Sequence, residues 1–354
     1  MKRKISFIFS VLSILLISFS CKNPNNPQPA PSGNYQNGVW IINEGLYGAG
    51  NASLDFYHKD KDTLERNVFE NINGHPLGDV LESVTHWNNK YYLVMNSSFD
   101  IVVVDDKSFK LQTVISTNTE PRYMLPINNQ KAYLTNETAN KITILNPTTN
   151  TITGQIPYKP GPDSLGSWTE QMVAYNNNIY IAAVKTGKLI VINSLTDKII
   201  DTINLSVGAV DVAIDKENKI WVLCDGTIAI PNINSKLYCI DPINNSILQQ
   251  YTFPDIKTGV GKLTFNPNKD SLYYVNGGIY KMGIHQGSLP SKSIVDGNGF
   301  TFYGLGIDPD NNTIYAGDAF DFTQNNPVLQ YSQTGKLLKI HHDGVGPNGF
   351  LFVK

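Results

Sequence analysis

The amino-acid sequence predicts an all-β protein, a seven-bladed β-propeller whose ring is closed when the C-terminal strand completes the first blade. Three observations lead there. One unit of apolar, turn-separated strands recurs through residues 38–354. An aromatic occupies the same place in seven copies of that unit. The first copy lacks an innermost strand, while the chain ends on an apolar segment with no partner of its own.

The unit reads as an apolar strand, a tight Asn/Asp/Lys turn, a strand holding an aromatic, a variable loop, an alternating strand ending in Asp or Asn, a short turn and a last strand. Its clearest copies are Lys131–Ile156 and Asn178–Ile203, each with period-two alternation split by turn residues. The second-strand aromatics are Trp40, Tyr92, Tyr133, Tyr180, Trp221, Tyr273 and Tyr315, spaced 52, 41, 47, 41, 52 and 42 residues apart. That is the period of a propeller blade with loop insertions. Each blade packs its faces on its neighbours, so these aromatics are expected to be core residues. The tail Gly346–Lys354 is expected to supply the first blade's missing strand, which also removes two exposed sheet edges.

The beginning of the chain has a different character. Lys2, Arg3 and Lys4 precede an apolar run from Ile5 to Phe19, then Ser20 and Cys21. A basic region, a short apolar run and a small residue make a secretory signal, and the run is too short for a spanning helix, which needs about 20 apolar residues. Leu16–Cys21 reads Leu-Ile-Ser-Phe-Ser-Cys and resembles a bacterial lipobox, which implies that Cys21 is the lipidated first residue of the mature chain. Residues 22–37 are dense in Pro and Asn with no periodicity, the composition of a semi-extended tether. The expected organisation is therefore a signal peptide over 1–20, a lipidated Cys21 with tether over 21–37, and the propeller over 38–354.

Composition agrees with a globular body of this kind. Apolar residues make up 41% of the 354, and the formal charge is −2 with no basic stripe, which argues against nucleic-acid binding. Besides Cys21 there are only Cys224 and Cys239. They fall on the second and third strands of one blade and share a face under simple hairpin registers. That permits a disulfide in an oxidising envelope, or two small buried apolar side chains.

Catalytic signatures are weak. The six histidines are scattered, and none shows a metal spacing such as H-E-x-x-H. His341 and His342 are expected to form a solvated strand edge. No G-x-S-x-G elbow is present. Asp308–Asn312 has the look of a calcium loop, but it sits at a first hairpin turn, where Asp and Asn are favoured anyway. No enzyme activity, metal or cofactor is expected.

Longer stretches go beyond a generic propeller: Trp40–Gly45 with Gly50–Ser53, Pro76–Val80, Pro121–Met124, Thr169–Val173, Ala316–Asn325, Leu329–Tyr331 and Gly344–Pro347. With the Tyr133–Ile156 repeat, they resemble the YncE-like, YVTN-repeat propeller lipoproteins of Bacteroidetes, in particular the BtuG-type corrinoid-binding surface lipoproteins. The resemblance implies a lipid-anchored outer-membrane protein, at the cell surface or the periplasmic face. Such a protein binds a cobalamin-like corrinoid and hands it to a TonB-dependent transporter.

A propeller binds through one face, where the loops between second and third strands meet the loops entering each innermost strand. Here those loops are rich in aromatics and amides: Tyr47, Phe99, Asn136, Trp168, Phe300, Phe302, Tyr303, Phe320 and Phe322. Aromatics stack on flat ligands and amides pair with polar rims, although some are expected to tuck under their own loops. Arg122, Glu170, Asp211 and Lys262 fall near the starts of innermost strands, where they ring the channel mouth or pair with one another. Three uses of this face compete: corrinoid capture, binding of a protein or glycan partner, and lactonase-like hydrolysis, the last disfavoured by the lack of a clustered acid, base or metal set.

Overall fold

In the middle two strands of each predicted unit nearly every residue is buried, as in Lys90–Met95, Lys131–Asn136 and Asn178–Ala183. The outer strands Leu111–Ser116 and Leu337–His342 are largely exposed, each with one buried residue, Ile115 and His341. Strands covered on both faces by neighbouring sheets, with a solvated strand outermost, are what blades packed around an axis require. The computed structural model describes residues 33, 35–158, 166, 168–226, 233–254, 260–297 and 299–354. From Pro31 onward they form one compact unit, a seven-bladed propeller of seven antiparallel sheets.

The innermost strands are Pro347–Val353 for blade 1, then Leu81–Trp87, Pro121–Asn128, Thr169–Tyr175, Ala209–Ile214, Val260–Phe265 and Phe302–Ile307 for blades 2 to 7. Each packs on the next, and the last packs on the first, closing the ring. Closure occurs as the sequence predicts. The tail pairs with Gly38–Asn43, Val353 opposite Gly38 and Phe350 opposite Ile41, so blade 1 is built from both ends of the propeller. Among the described residues no helix is long and apolar enough to cross a membrane.

All seven second-strand aromatics are buried in the core. Three of them also clasp the next blade. Tyr92 of blade 2 donates to the Pro147 carbonyl at 3.0 Å in the outer turn of blade 3. Tyr133 of blade 3 donates to Asp197 in the outer turn of blade 4. Tyr180 of blade 4 donates to the Pro242 carbonyl, 3.1 Å, and to Asn245, 2.8 Å, in blade 5. Lys90 and Lys131, two residues before their tyrosines, reach the same turns. A hydroxyl at the end of a large apolar ring thus joins core packing to a specific inter-blade hydrogen bond. Lys59 makes a related contact from blade 1 to blade 7, 3.2 Å from Asp308 and 2.7 Å from Asp310. An ammonium therefore sits against the carboxylates that gave Asp308–Asn312 its calcium-loop look.

Three expectations need correction. Blade 6 has three described strands rather than four. Its outermost position is reduced to the bridge between Ile279 and Val295. Cys224 and Cys239 are free, buried thiols, as the second of the two readings has it, and what fails is their shared face. Cys224 lies opposite Lys236 while Cys239 lies opposite Trp221, so an odd offset puts them on opposite faces of blade 5, in different core clusters. A disulfide needs Cα atoms within about 7 Å and converging Cβ vectors. The loop length, not the residue spacing alone, sets that register. His341, finally, is buried against Tyr57 at 4.6 Å with a 2.8 Å contact to Gln330, and only His342 is exposed.

Candidate functional site

The same irregularity interrupts the start of every innermost strand. Glu82 is an extra residue between the pairs Leu81–Met95 and Ser83–Val94. Arg122 and Tyr123 together oppose one residue, as do Glu170 and Gln171. Val210, Lys262, Tyr303 and Asn348 are the extra residues in blades 5, 6, 7 and 1. A β-bulge adds a residue to one strand and re-aims its side chain. Repeated seven times at one level, it lays a ring of side chains at the channel mouth.

The ring is linked from blade to blade. The Asn348 amide donates to the carbonyls of Leu81 and Glu82 at 3.2 Å each. Arg122 lies 2.6 Å from Glu82 on one side and grips Glu170 on the other with Nη2 at 2.9 Å. Asp211 accepts from the Leu263 N–H in the next blade at 2.8 Å. Lys262 lies over the Tyr303 ring, 5.3 Å from its centroid, within the range of a cation–π contact. Tyr303 then donates to Glu44 of blade 1 at 2.6 Å. Backbone bonds tie the loops above, with Leu81 N–H donating to Glu44, Trp168 to Glu137 and Val184 to Trp168.

These residues enclose a cavity of about 490 Å³, lined by Glu82, Arg122, Trp168, Glu170, Asp211, Asp225, Lys262 and Tyr303 together with the stacked pair Phe300 and Phe302. Below it a second space of about 280 Å³ continues down the channel, sharing Glu82, Tyr123, Asp211 and Lys262 as its ceiling. Between its second and third strands blade 6 makes the tight turn Asn276-Gly277-Gly278. Gly277, which lines the cavity, takes a φ of 69° there, a value that suits glycine.

Electrostatics in the cavity are dominated by desolvated carboxyls. Burial pushes Glu170 up to about 7, against the pull of Arg122. Burial likewise raises Asp211 to about 6 despite the Leu263 N–H and the Lys262 charge, and Asp225 to about 6. Burial and the neighbouring Glu82 raise Glu44. For Arg122 burial works against the charge, but Glu82 and Glu170 outweigh it and hold the guanidinium well above its ordinary value. The lining therefore carries carboxyls poised near neutrality, two cations and aromatic walls. Such a surface donates and accepts hydrogen bonds and offers rings for stacking.

Seven of the eleven site residues picked from the sequence line this cavity: Arg122, Trp168, Glu170, Asp211, Lys262, Phe302 and Tyr303. Tyr47, Phe99 and Phe320 are exposed outside it, at 80%, 45% and 59%. Asn136 is fully buried. Its amide donates to the Lys141 carbonyl at 3.0 Å and accepts from Thr119 at 2.6 Å, which makes it a loop brace. Glu44, Glu82 and Asn348 were not picked. The signal for Glu82 was available, because the bulge residues of blades 2 to 7 all fall ten to twelve positions before the second-strand aromatic. Trp168, Lys262, Phe99 and Phe320 take positive φ values of 40°, 48°, 59° and 44°. Left-handed backbone is unfavourable for bulky residues and collects at functional sites. Among the described residues no group of three or more His, Cys, Asp or Glu is placed to hold a metal ion.

A family model described as Domain of unknown function (DUF5074) matches residues 37–343. No curated protein matches the chain. Among solved structures, it is similar to a quinonprotein alcohol dehydrogenase-like protein from Bacteroides thetaiotaomicron, with 14% identity, TM-score 0.68, and coverage of 91% of this chain and 79% of that one. It is also similar to a candidate 6-phosphogluconolactonase from Bacteroides fragilis, with 12% identity, TM-score 0.66, and coverage of 90% and 98%. A protein from Lactobacillus plantarum gives 13% identity, TM-score 0.65, and coverage of 90% and 100%. At these identities the likeness is one of fold, and a fold hosts many functions.

Proposed function

The chain belongs to the DUF5074 family, and from that premise we propose that it is a non-catalytic capture protein whose ligand binds at the bulge-ringed mouth of the propeller. The observation that carries this reading is the convergence of six polar or aromatic bulge side chains on one level, five of which line a cavity of about 490 Å³. The size suits a small molecule or one arm of a large one.

The ligand we propose is a cobalamin-like corrinoid, following the sequence resemblance to BtuG-type lipoproteins. A corrin ring is broad and flat and carries peripheral amides. Its face would rest on rim aromatics such as Phe99 and Phe320, and an amide arm would enter among Glu170, Asp211 and Lys262. The rest of the reading follows from the same resemblance. Cys21, which lies outside the described residues, would carry the lipid anchor in the outer membrane, and a TonB-dependent transporter would receive the cargo.

The exposure of Tyr47 beside Leu46, at 80% and 39%, supports a second reading in which this rim docks a protein or glycan partner. Titration calorimetry with cyanocobalamin separates the two. Saturable binding that weakens when Trp168 or Lys262 is replaced by Ala supports corrinoid capture. No heat at high micromolar cobalamin removes the corrinoid and leaves the macromolecular partner.

A further inference from the structure

Away from the mouth ring, the place where the propeller closes carries a second concentration of buried polar atoms. Asp343 lies on the short connection between the outer strand of blade 7, Leu337–His342, and the closing strand Pro347–Val353. Asp55 lies on the third strand of blade 1, Ser53–His58, and Asn43 ends the second strand, Gly38–Asn43. Asp343 and Asn43 are fully buried and Asp55 is 1% exposed.

Their oxygens are only partly satisfied by the protein. Both carboxylate oxygens of Asp343 and Oδ1 of Asn43 are buried with no hydrogen-bond partner. The Asp55 carboxylate accepts from the Asn67 N–H at 2.8 Å and is supported by the Asn43 amide and the Gly344 N–H. Asp343 and Asp55 line a cavity of about 300 Å³ in which Asp55, Glu70 and Asp343 face one cation, Arg66. Arg66 itself donates to the His342 carbonyl. Asn43 stands against the same turn, since a Cβ added to Gly344 would come within 2.6 Å of its amide.

Buried polar groups in folded proteins nearly always have partners, and an unmet cluster calls for an ion or a water. Burying two carboxylates beside a single guanidinium is costly. The unmet atoms of Asp343 and Asn43 are oxygens, the donor set of a hard cation, and one unmet donor, the Asn326 amide nitrogen, belongs to the residue whose backbone pairs with Asp343 and Gly344. Calcium takes six to eight such ligands at about 2.3–2.6 Å from carboxylates, amide and backbone carbonyls and water. We propose that Asp343, Asp55 and Asn43 form an oxygen-only site for a divalent cation of the calcium class, which pins the connection that closes the ring to the middle strands of blade 1. The site is separate from the mouth cavity, and its role is structural.

The test uses the mature protein stripped with EDTA and titrated with CaCl2 alone. Calorimetry should show binding near one ion per chain. The melting temperature should rise by roughly 3–6 °C at a hundredfold excess over the dissociation constant, because an ion that binds only the folded state stabilises it by mass action. Asp343→Asn should abolish both responses. The wild-type titration does not depend on that variant folding, so it decides by itself. If calcium neither binds nor shifts the melt, and Asp343→Asn melts higher than the parent, then the two carboxyls share a proton and the cation site is overturned.

Discussion

The guanidinium of Arg122 in blade 3 closes on both carboxylate oxygens of Glu170 in blade 4, with Nε 3.0 and 3.2 Å from them. Its Nη1 holds Glu82 of blade 2 at the same time. One side chain therefore fastens three blades and neutralises two desolvated carboxylates. Arg122→Ala is expected to lower stability by about 3–5 kcal/mol, the range for removing one partner of a buried ion pair. Arg122→Lys should recover only part of it, because a point charge cannot reproduce the fork. Chemical denaturation of the three proteins at pH 7 measures both effects.

Glu170 makes that stability depend on pH. Its carboxyl is raised by burial to about 7 in the folded protein, above its unfolded value. Its stabilising contribution is therefore fully present below about pH 4.5 and is lost as pH rises toward 7. Glu170→Gln removes this dependence, so its stability relative to the parent should improve steadily from pH 4.5 to 7.5. His341 works in the opposite sense. Burial lowers it to about 4, so stability is lost as pH falls from about 6.5 through 4. His341→Gln should flatten that acid-side loss. Denaturant melts across pH 4 to 7.5 check both slopes, and equal slopes in parent and variants would refute the assignments.

Replacing Tyr92 by Phe removes the 3.0 Å bond to Pro147 and keeps the ring. A loss of about 1 kcal/mol is expected, more if the buried carbonyl stays unmet. Tyr180→Ala also deletes the packed ring and should cost about 3–5 kcal/mol. Neither change should alter ligand affinity in protein that remains folded.

Deleting Phe350–Lys354 removes the ladder partners of Gly38–Ile41 and exposes that strand's edge along the channel. The truncated protein should lose its cooperative melt or aggregate. A melting temperature equal to the parent's would contradict closure by the tail.

At the mouth, Trp168→Ala or Tyr303→Ala should weaken ligand binding by about 1–3 kcal/mol if the ring is an anchor. Tyr47→Ala should change it little, and Asn136→Ala should lower stability instead, since Asn136 braces its loop. Affinity measured alongside melting temperature for each variant distinguishes the two kinds of loss.

The ring and its closure were legible because a blade repeats its apolar alternation and its aromatic at a steady period, as Tyr133 and Tyr180 show. The mouth was legible in part. Arg122, Glu170, Asp211 and Lys262 stand out as charged residues at the edge of apolar strands. Glu82 and Asn348 do not, because a bulge displaces one residue of a ladder without changing the composition around it. The relative faces of Cys224 and Cys239 are not legible in the sequence for a related reason. Alternation fixes which residues of one strand share a face, while the offset between two strands depends on the loop joining them. Asn136 shows a third limit, since an amide at a loop entrance has the same sequence signature whether it meets a ligand or braces its own backbone.

The double pairing of Gly38–Asn43 has a mechanical consequence. This strand lies between the closing tail and the third strand of blade 1, antiparallel to both, and it is where the preceding segment enters the propeller. A pull from that segment along the strand loads two ladders in shear, so their hydrogen bonds share the force rather than parting one after another. Held by its leading end, the propeller would resist being drawn apart at the point where the load arrives.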